Sequence, residues 1–199
     1  MPVPKILVLC GSLRARSFNA RLAALAAKEL MLVDAEVTRI SLMDFPLPLY
    51  DGDLAEKSGP PLNALRLKQL MCAHQGVFIV SPEYNASITP LMKNTIDWIS
   101  VVRERGEAPL AAYQNRVFAL GAASPRSTGA MASMLALRQV LSVGCRALVL
   151  PEQISVPNAE QAFDEVDGLK DPRAAEQLTL VVRKLVDTAR LMAGAGVLA

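Results

Sequence analysis

The chain has 199 residues, of which 52% are apolar, and 21 basic side chains nearly balance 19 acidic ones, for a net charge of +2. This length is enough for one well-buried core but short for two domains, so we predict a single domain over residues 1–199. The near-neutral charge argues against nucleic acid or an anionic membrane as a partner. No apolar run is long enough for a signal segment or a bilayer span, which predicts a cytoplasmic protein with no membrane contact.

Short apolar runs typical of buried strands alternate with stretches of helical spacing. The predicted strands are Lys5 to Cys10, Val37 to Ser41, Gly76 to Ser81, Val117 to Ala122 and Ala147 to Leu150. The predicted helices are Asn19 to Met31, Leu62 to Ala73, Leu91 to Val101, Met131 to Val143 and Arg173 to Met192. This order predicts an α/β, flavodoxin-like three-layer fold, with a five-stranded parallel sheet of order 2-1-3-4-5 and helices on both faces.

Two proline-containing stretches interrupt this alternation, Asp44 to Asp53 and Pro151 to Asp171. Both are predicted to be loops, because proline prevents continuous helix or interior strand. The first either covers the carboxyl edge of the sheet or a neighbouring subunit, or is an ordinary crossover loop.

The cysteines Cys10, Cys72 and Cys145 are far apart, and His74 is the only histidine. Neither a disulfide framework nor a metal site is predicted. Cys10 and Cys145 border predicted strands and are interpreted as buried apolar groups. His74 is interpreted as a partner of a helix C-terminus, so no catalytic side chain is assigned.

A first polar loop follows the first strand, and the next helix is predicted to begin near Ser17 or Asn19, either of which is a good N-cap. A phosphate here would meet free backbone N–H groups, the hydroxyls of Ser12 and Ser17, the Asn19 amide and the Arg14 guanidinium. The loop lacks the Gly-Lys-Ser/Thr ending of a P-loop and the Gly-x-Gly-x-x-Gly of a dinucleotide site. It therefore suits a phosphomonoester, with an ordinary capped helix as the alternative.

A second polar loop follows the third strand, where Pro82 holds Ser81 extended and the chain is predicted to turn at Tyr84 and Asn85. Such a turn can aim backbone N–H groups at the edge of a flat heterocycle, with Tyr84 beside it. The uracil-like edge of a flavin needs those donors, and no catalytic acid or base is required. Glu83 is interpreted as a solvated or subunit-contact side chain, with a general base as the alternative.

A third polar turn, Ala123 to Gly129, follows the fourth strand at the same edge of the sheet. If the three loops converge, they hold the phosphate, the pyrimidine side and the dimethylbenzene side of one flavin. One face of the ring is then left open for a second substrate.

At these residues the chain resembles the NADPH-dependent FMN reductase family, which includes bacterial quinone, chromate and azo-dye reductases with a flavodoxin-like fold. The strongest parts are Gly-Ser-Leu-Arg-x-x-Ser-x-Asn at Gly11 to Asn19, and Pro-Glu-Tyr-Asn with Lys-Asn-x-Ile-Asp-Trp between Pro82 and Trp98. The resemblance implies that Ser12, Arg14, Ser17 and Asn19 hold the FMN phosphate, that Pro82, Glu83, Tyr84 and Asn85 line the isoalloxazine ring, and that Ser124 lies beside it. It also implies homodimers or homotetramers with FMN near a subunit interface, and a helix carrying Lys93, Asn94, Asp97 and Trp98 that supports this contact.

Two segments depart from the family pattern. Pro125-Arg126 and Gly129-Ala130 stand where members often carry Pro-Gly and Gly-Gly, which puts side chains where a backbone approach is easiest. Thr89-Pro90 replaces a frequent Pro-Gly and changes the stiffness of the helix entry. Arg16 or Arg126 would receive the 2′-phosphate of NADPH, with a solvated surface arginine as the alternative.

The predicted function is an FMN-dependent NAD(P)H oxidoreductase. Hydride passes from NADPH or NADH to FMN, and electrons then pass to a small-molecule acceptor, a quinone in the first place, by a ping-pong mechanism. Chromate, azo compounds and nitroaromatics are further acceptors. The alternatives are a flavodoxin-type electron carrier, which would normally have a strongly acidic face, an enzyme that supplies free reduced FMN to a monooxygenase, and a flavin-sensing module.

Overall fold

The centre of the molecule is a five-stranded parallel sheet, in a computed structural model that describes residues 3–195. The strands are β1 Lys5–Cys10, β2 Glu36–Ser41, β3 Gly76–Val80, β4 Val117–Ala123 and β5 Leu148–Val156. They lie in the order β2-β1-β3-β4-β5, and every neighbouring pair is parallel. The predicted fold class and strand order are confirmed.

Helices cover both faces of the sheet. They are α1 Phe18–Leu32, α2 Gly52–Ser58, α3 Leu62–Cys72, α4 Pro90–Val101, α5 Met131–Gln139, α6 Ala159–Ala162 and α7 Pro172–Ala195. In β1, Ile6 and Val8 pack in a core with α1 and α7, whereas Leu7 and Leu9 pack in a second core with α3, α4 and α5. Because strand side chains alternate between faces, the unbroken apolar run of β1 reflects burial on both sides. None of the helices described is long and apolar enough to cross a membrane.

The fifth strand is longer than predicted, so the prediction of a loop from Pro151 to Asp171 is wrong at its start. β5 runs through Pro151 to Val156, and the short α6 follows. Proline is tolerated here because β5 is an edge strand, and its pairing with β4 shifts register between Phe118 and Leu120. A missing N–H at such a position breaks no ladder hydrogen bond.

The other proline-containing stretch packs on its own subunit. It leads into α2, whose N-cap is Asp51. The carbonyl of Pro48 accepts hydrogen bonds from Trp98 Nε1 at 2.7 Å and from Asn94 Nδ2 at 2.9 Å. Trp98 is fully buried and also contacts the ring of Tyr50 edge-on. The side chains of Asn94 and Trp98, which the resemblance places in support of a subunit contact, therefore fasten this loop to α4.

The only histidine and two of the cysteines have structural roles. His74 Nδ1 lies 2.6 Å from the carbonyl of Leu70 in the last turn of α3, and Nε2 lies 2.9 Å from Thr38 Oγ1. Cys10 and Cys145 are buried. Burial raises the pKa of both thiols, that of Cys145 to about 11, so both are protonated at neutral pH. These observations confirm the interpretations made from the sequence.

Candidate functional site

Three loops meet at the carboxyl edge of the sheet around a cavity of about 370 Å³. The first loop, residues 11–17, follows β1; the second, residues 81–89, follows β3; and the third, residues 124–130, follows β4. The cavity is lined by all of the predicted site residues, namely Ser12, Arg14, Ser17, Asn19, Pro82, Glu83, Tyr84, Asn85 and Ser124. The fold thus brings together residues that lie more than a hundred positions apart in sequence.

The first loop ends at the N-terminus of α1, with Ser17 as the N-cap. Its Oγ accepts a hydrogen bond from the third residue of the helix at 3.3 Å. In the part of the chain that the structure describes, the backbone N–H groups of Phe18 and Asn19 have no acceptor, and no acidic side chain lies in the first turn. Free N–H groups, the positive end of the helix dipole and the guanidinium of Arg14 in the same cavity form an anion-binding arrangement.

The side chain of Asn19 is engaged by the main chain of Ala123 at the end of β4. Its Nδ2 donates to the carbonyl at 2.8 Å, and its Oδ1 accepts from the N–H at 2.9 Å. β3 ends at Val80, which pairs with Gly121, whereas β4 continues to Ala123. Ala123 therefore has no strand partner on the β3 side, and the Asn19 amide supplies the hydrogen bonds that β3 would otherwise make. Asn19 therefore joins α1 to the third loop, and its main-chain N–H and one amide proton remain for a ligand.

Gly11 is the point where the first and second loops touch. A Cβ at this position would lie 2.7 Å from Ser81 Oγ and 3.1 Å from the Met92 methyl group, so any other residue would force these side chains to shift. The carbonyl of Gly11 accepts a hydrogen bond from Thr89 Oγ1 at 3.0 Å. Thr89 also caps α4, with Pro90 next to it in the first turn. The Thr89-Pro90 pair thus gives a rigid entry to α4.

The second loop contains a two-residue hairpin turn. Main-chain hydrogen bonds of 3.0 Å join Tyr84 and Ser87 in both directions. The two residues between them, Asn85 and Ala86, have φ of +50° and +61°. Positive φ at both positions defines a type I′ turn, whose corner lies one residue later than predicted. The Tyr84 side chain is 47% exposed and lines the cavity.

Glu83 caps helix α5. Its Oε2 accepts a hydrogen bond from the Ser133 N–H at 3.2 Å, and Ser133 Oγ donates to the carbonyl of Pro82 at 3.3 Å. The N-cap residue of α5, Ala130, has no side chain that can bond these N–H groups, so the carboxylate of the second loop does so. Glu83 is therefore half-buried against α5 rather than free in solvent, and its role in a subunit contact stays a prediction.

The third loop is held by main-chain hydrogen bonds at Arg126. The Arg126 N–H donates to Ser124 Oγ at 3.2 Å, and its carbonyl accepts from the Gly129 N–H at 3.2 Å. Gly129 and Ala130 have φ of +60° and +62°. A Cβ at Gly129 would collide with Ser155 Oγ, so glycine is required there. Ala130 lies in the left-handed region, where the glycine that family members often carry would be less strained than alanine.

The remaining residues that line the cavity are Arg16, Phe18, Ala123, Pro125, Arg126 and Glu160. Arg16 and Phe18 lie within the motif from Gly11 to Asn19, which the sequence analysis already places at the site. Glu160 lies on α6, inside a stretch that was predicted to be a loop. No sequence pattern indicates its place, because only the tertiary fold brings α6 to this edge.

The donor set of the cavity fits FMN. The phosphate end has two hydroxyl groups, free N–H groups and guanidinium groups with no carboxylate in the first turn of α1. The opposite side has an exposed aromatic ring and a hairpin turn of fixed geometry. A doubly wound sheet with such a cavity at its carboxyl edge defines a flavodoxin-like nucleotide-binding protein.

Residues 4–161 match the family model described as NADPH-dependent FMN reductase. The NADPH-dependent FMN reductase ArsH of Rhizobium meliloti (strain 1021) is 32% identical over 185 residues, which are 92% of this chain and 71% of that protein. The quinone reductase of Escherichia coli (strain K12) is 38% identical over 97 residues, 48% of this chain and 50% of that protein. The structure of FerB, a flavoenzyme NAD(P)H:(acceptor) oxidoreductase from Paracoccus denitrificans, has a TM-score of 0.75 at 26% identity, over 96% of this chain and 99% of that one.

The chain belongs to the NADPH-dependent FMN reductase family. It is therefore an oxidoreductase with FMN as its cofactor and NAD(P)H as its co-substrate, which confirms the prediction made from the two motifs.

Proposed function

We propose that this protein transfers electrons from NAD(P)H to a quinone-like small acceptor by a ping-pong mechanism, through FMN held in the three-loop cavity. The observation that carries the proposal is the convergence of the nine predicted residues on one cavity at the sheet's carboxyl edge. The name of the quinone reductase supports the acceptor class, and that of FerB supports NAD(P)H as the electron donor.

The phosphate end of the site is assigned to the first loop and the start of α1. The hydroxyl groups of Ser12 and Ser17 and the guanidinium of Arg14 bind the phosphate, together with the free N–H groups of Phe18 and Asn19. The Asn19 side chain acts mainly through Ala123, because both atoms of its amide are already hydrogen-bonded there. A phosphate held in this way needs no lysine from a P-loop.

The ring end of the site is assigned to the second and third loops. Pro82, Glu83, Tyr84 and Asn85 line one side of the ring, and Ser124 lies beside it. When bound, FMN supplies the redox chemistry, since it accepts hydride from NAD(P)H and passes electrons to the acceptor. The protein holds and orients the ring. We assign no side chain to acid or base catalysis, because the chemistry belongs to FMN and Oε2 of Glu83 already accepts a hydrogen bond from the N-terminus of α5.

The proposed ping-pong order rests on the shape of the two substrates. A nicotinamide and a quinone are both flat and both need the exposed face of the ring, so they take turns there. Plots of reciprocal rate against reciprocal NADPH concentration, at several fixed quinone concentrations, are expected to give parallel lines. Intersecting lines would mean that both substrates bind together and would contradict this order.

The first experiment is to load the protein with FMN, remove free flavin, and add NADPH without oxygen. We expect the absorbance of bound flavin to bleach and then to return when a quinone is added. Flavin that binds but stays oxidised with both NADPH and NADH would favour the electron carrier, although the net charge of +2 argues against the strongly acidic surface that such a carrier normally has. Turnover that rises with added free FMN would favour the supply of reduced FMN to a monooxygenase.

The proposal includes a cytoplasmic homodimer or homotetramer. Leu135, Val143 and Leu148 have large exposed apolar side chains, and a subunit contact would remove such surface from water. Sedimentation equilibrium of the purified chain measures the oligomer, and a monomer at micromolar concentration would contradict this part of the proposal.

A further inference from the structure

A second cavity of about 570 Å³ adjoins the flavin cavity and is bordered by the end of the first loop and the first two turns of α1. The two cavities share Arg16, Ser17 and Phe18 as lining residues. The second cavity is also lined by Ala15, Ala20, Arg21, Ala24 and Asp167. Because both cavities border the start of α1, one extended ligand can reach from one into the other.

The floor of the second cavity is apolar. Ala20 and Ala24 are one helical turn apart on α1, so their methyl groups lie on the same face. Phe18 continues this surface, and its ring stacks on that of Phe163 with centroids 6.5 Å apart and an angle of 7° between the planes. Methyl groups beside an aromatic ring suit a flat base such as adenine.

One cation and one anion of the second cavity neutralise each other. Arg21 Nε donates to Asp167 Oδ1 at 2.6 Å, and Arg21 Nη2 donates to the carbonyl of Asp164 at 3.3 Å. The same guanidinium lies 4.5 Å from the centroid of the Phe163 ring. Arg21 is thus held in place against the loop that precedes α7.

Arg16 is different from Arg21, because it forms no ion pair within residues 3–195. Its side chain is exposed and lines both cavities. With Arg14 and the N-terminus of α1 assigned to the FMN phosphate, Arg16 is a second guanidinium that is available for a second phosphate.

We infer that the second cavity binds the adenosine half of NADPH and that Arg16 binds its 2′-phosphate. This inference rests on the proposed flavin site, because it needs the nicotinamide over the ring in the first cavity. Guanidinium groups bind phosphate through two parallel hydrogen bonds, and NADH has no 2′-phosphate to offer. Arg126 lines the first cavity but not the second, so Arg16 is the residue that selects NADPH over NADH.

The kinetic test compares Arg16→Ala with the wild type for both nucleotides. We expect kcat/KM for NADPH to fall by roughly 10- to 100-fold, as for loss of a charge-assisted phosphate contact, while the value for NADH stays unchanged. Arg66→Ala, which removes one positive charge on α3 away from both cavities, controls for the change in net charge. Wild-type preference for NADH, or a loss of NADPH preference in Arg126→Ala instead of Arg16→Ala, would overturn the inference.

A binding test without turnover uses adenosine 2′,5′-bisphosphate and adenosine 5′-diphosphate with the oxidised, FMN-loaded protein in a calorimeter. We expect the wild type to bind the 2′,5′-bisphosphate more tightly, and Arg16→Ala to bind the two alike. Ala24→Glu and Ala24→Lys place side chains of similar length and opposite charge on the cavity floor. Weaker binding with glutamate than with lysine is expected, whereas equal binding by the two variants would overturn the assignment.

The outcomes separate this inference from the proposed function. Failure of the wild type to bind FMN would remove the flavin site itself. Bleaching of bound flavin by NADPH, together with an unchanged nucleotide preference in Arg16→Ala, would leave the reductase intact and remove only the second-cavity assignment.

Discussion

At the scale of single residues, Ala86 stands in the corner of the type I′ turn with φ of +61°. An L-residue in this conformation is strained by about 1–2 kcal/mol, and glycine would remove that strain. Glycine also raises the conformational entropy of the unfolded chain, which reduces the gain in stability by about 0.4–1 kcal/mol. We expect Ala86→Gly to raise the free energy of unfolding by about 0.5 kcal/mol, measured by urea denaturation.

The matched control for this substitution is Ala136→Gly in the middle of α5, where φ is helical. It is expected to lower the free energy of unfolding by about 1 kcal/mol, because glycine is a poor helix former. If both substitutions destabilise the protein alike, Ala86 does not occupy the left-handed region.

At the scale of elements, the Asn19 amide joins the start of α1 to the end of β4 through two hydrogen bonds. Asn19→Ala leaves the N–H and carbonyl of Ala123 buried without these partners, and we expect a loss of about 2 kcal/mol in the free energy of unfolding. Because the third loop is then no longer fixed relative to the first, the affinities for FMN and for riboflavin are expected to fall together.

Arg14→Ala is the companion variant, because its guanidinium is assigned to the phosphate alone. We expect it to weaken FMN binding by roughly 10- to 100-fold and to leave riboflavin binding unchanged. Titration of flavin fluorescence measures all four affinities. A loss confined to FMN in Asn19→Ala would make Asn19 a phosphate ligand rather than a link between the two elements.

At the scale of the whole molecule, a buried cation fastens α3 to the segment after α4. Lys68 is only 3% exposed, and its ammonium pairs with Glu107 and, at 3.4 Å, with Glu104. The hydrogen bond from Lys68, with a second from the Glu104 N–H, lowers the pKa of Glu107 from its ordinary value of 4.5. Desolvation works to lower the pKa of Lys68, but the hydrogen bond and charges of the two glutamates outweigh it and raise the pKa.

These shifts predict how stability depends on pH. Since folding lowers the pKa of Glu107, the pair stabilises the protein above pH 4.5 and the gain is lost as pH falls below that value. We expect Glu107→Gln to lower the free energy of unfolding by about 2 kcal/mol at pH 7, and the difference from the wild type to shrink as the pH falls below 4.5, as followed by urea denaturation. In a Lys68→Met background the pH-dependent part of the difference should vanish; if it persists, another group causes it.

The sequence predicted the sheet because β1, β3 and β4 are buried along most of their length, and such apolar runs are a signal that does not depend on distant contacts. It missed the second half of β5, because the meaning of Pro151 depends on β5 being an edge strand. The motifs located the cavity, but they did not reveal the cap that Glu83 gives to α5 or the partner of the Asn19 amide. Those contacts join residues 50 and 104 positions apart, and no local pattern specifies them.

The three loops are connected in pairs. Thr89 bonds Gly11, Asn19 bonds Ala123, and Glu83 bonds the start of the helix that follows the third loop. The walls of the cavity therefore exist before any ligand arrives, and little conformational entropy is lost when flavin binds. Flavin should consequently leave at a rate set by its own contacts with the cavity, with no loop opening as a separate kinetic step.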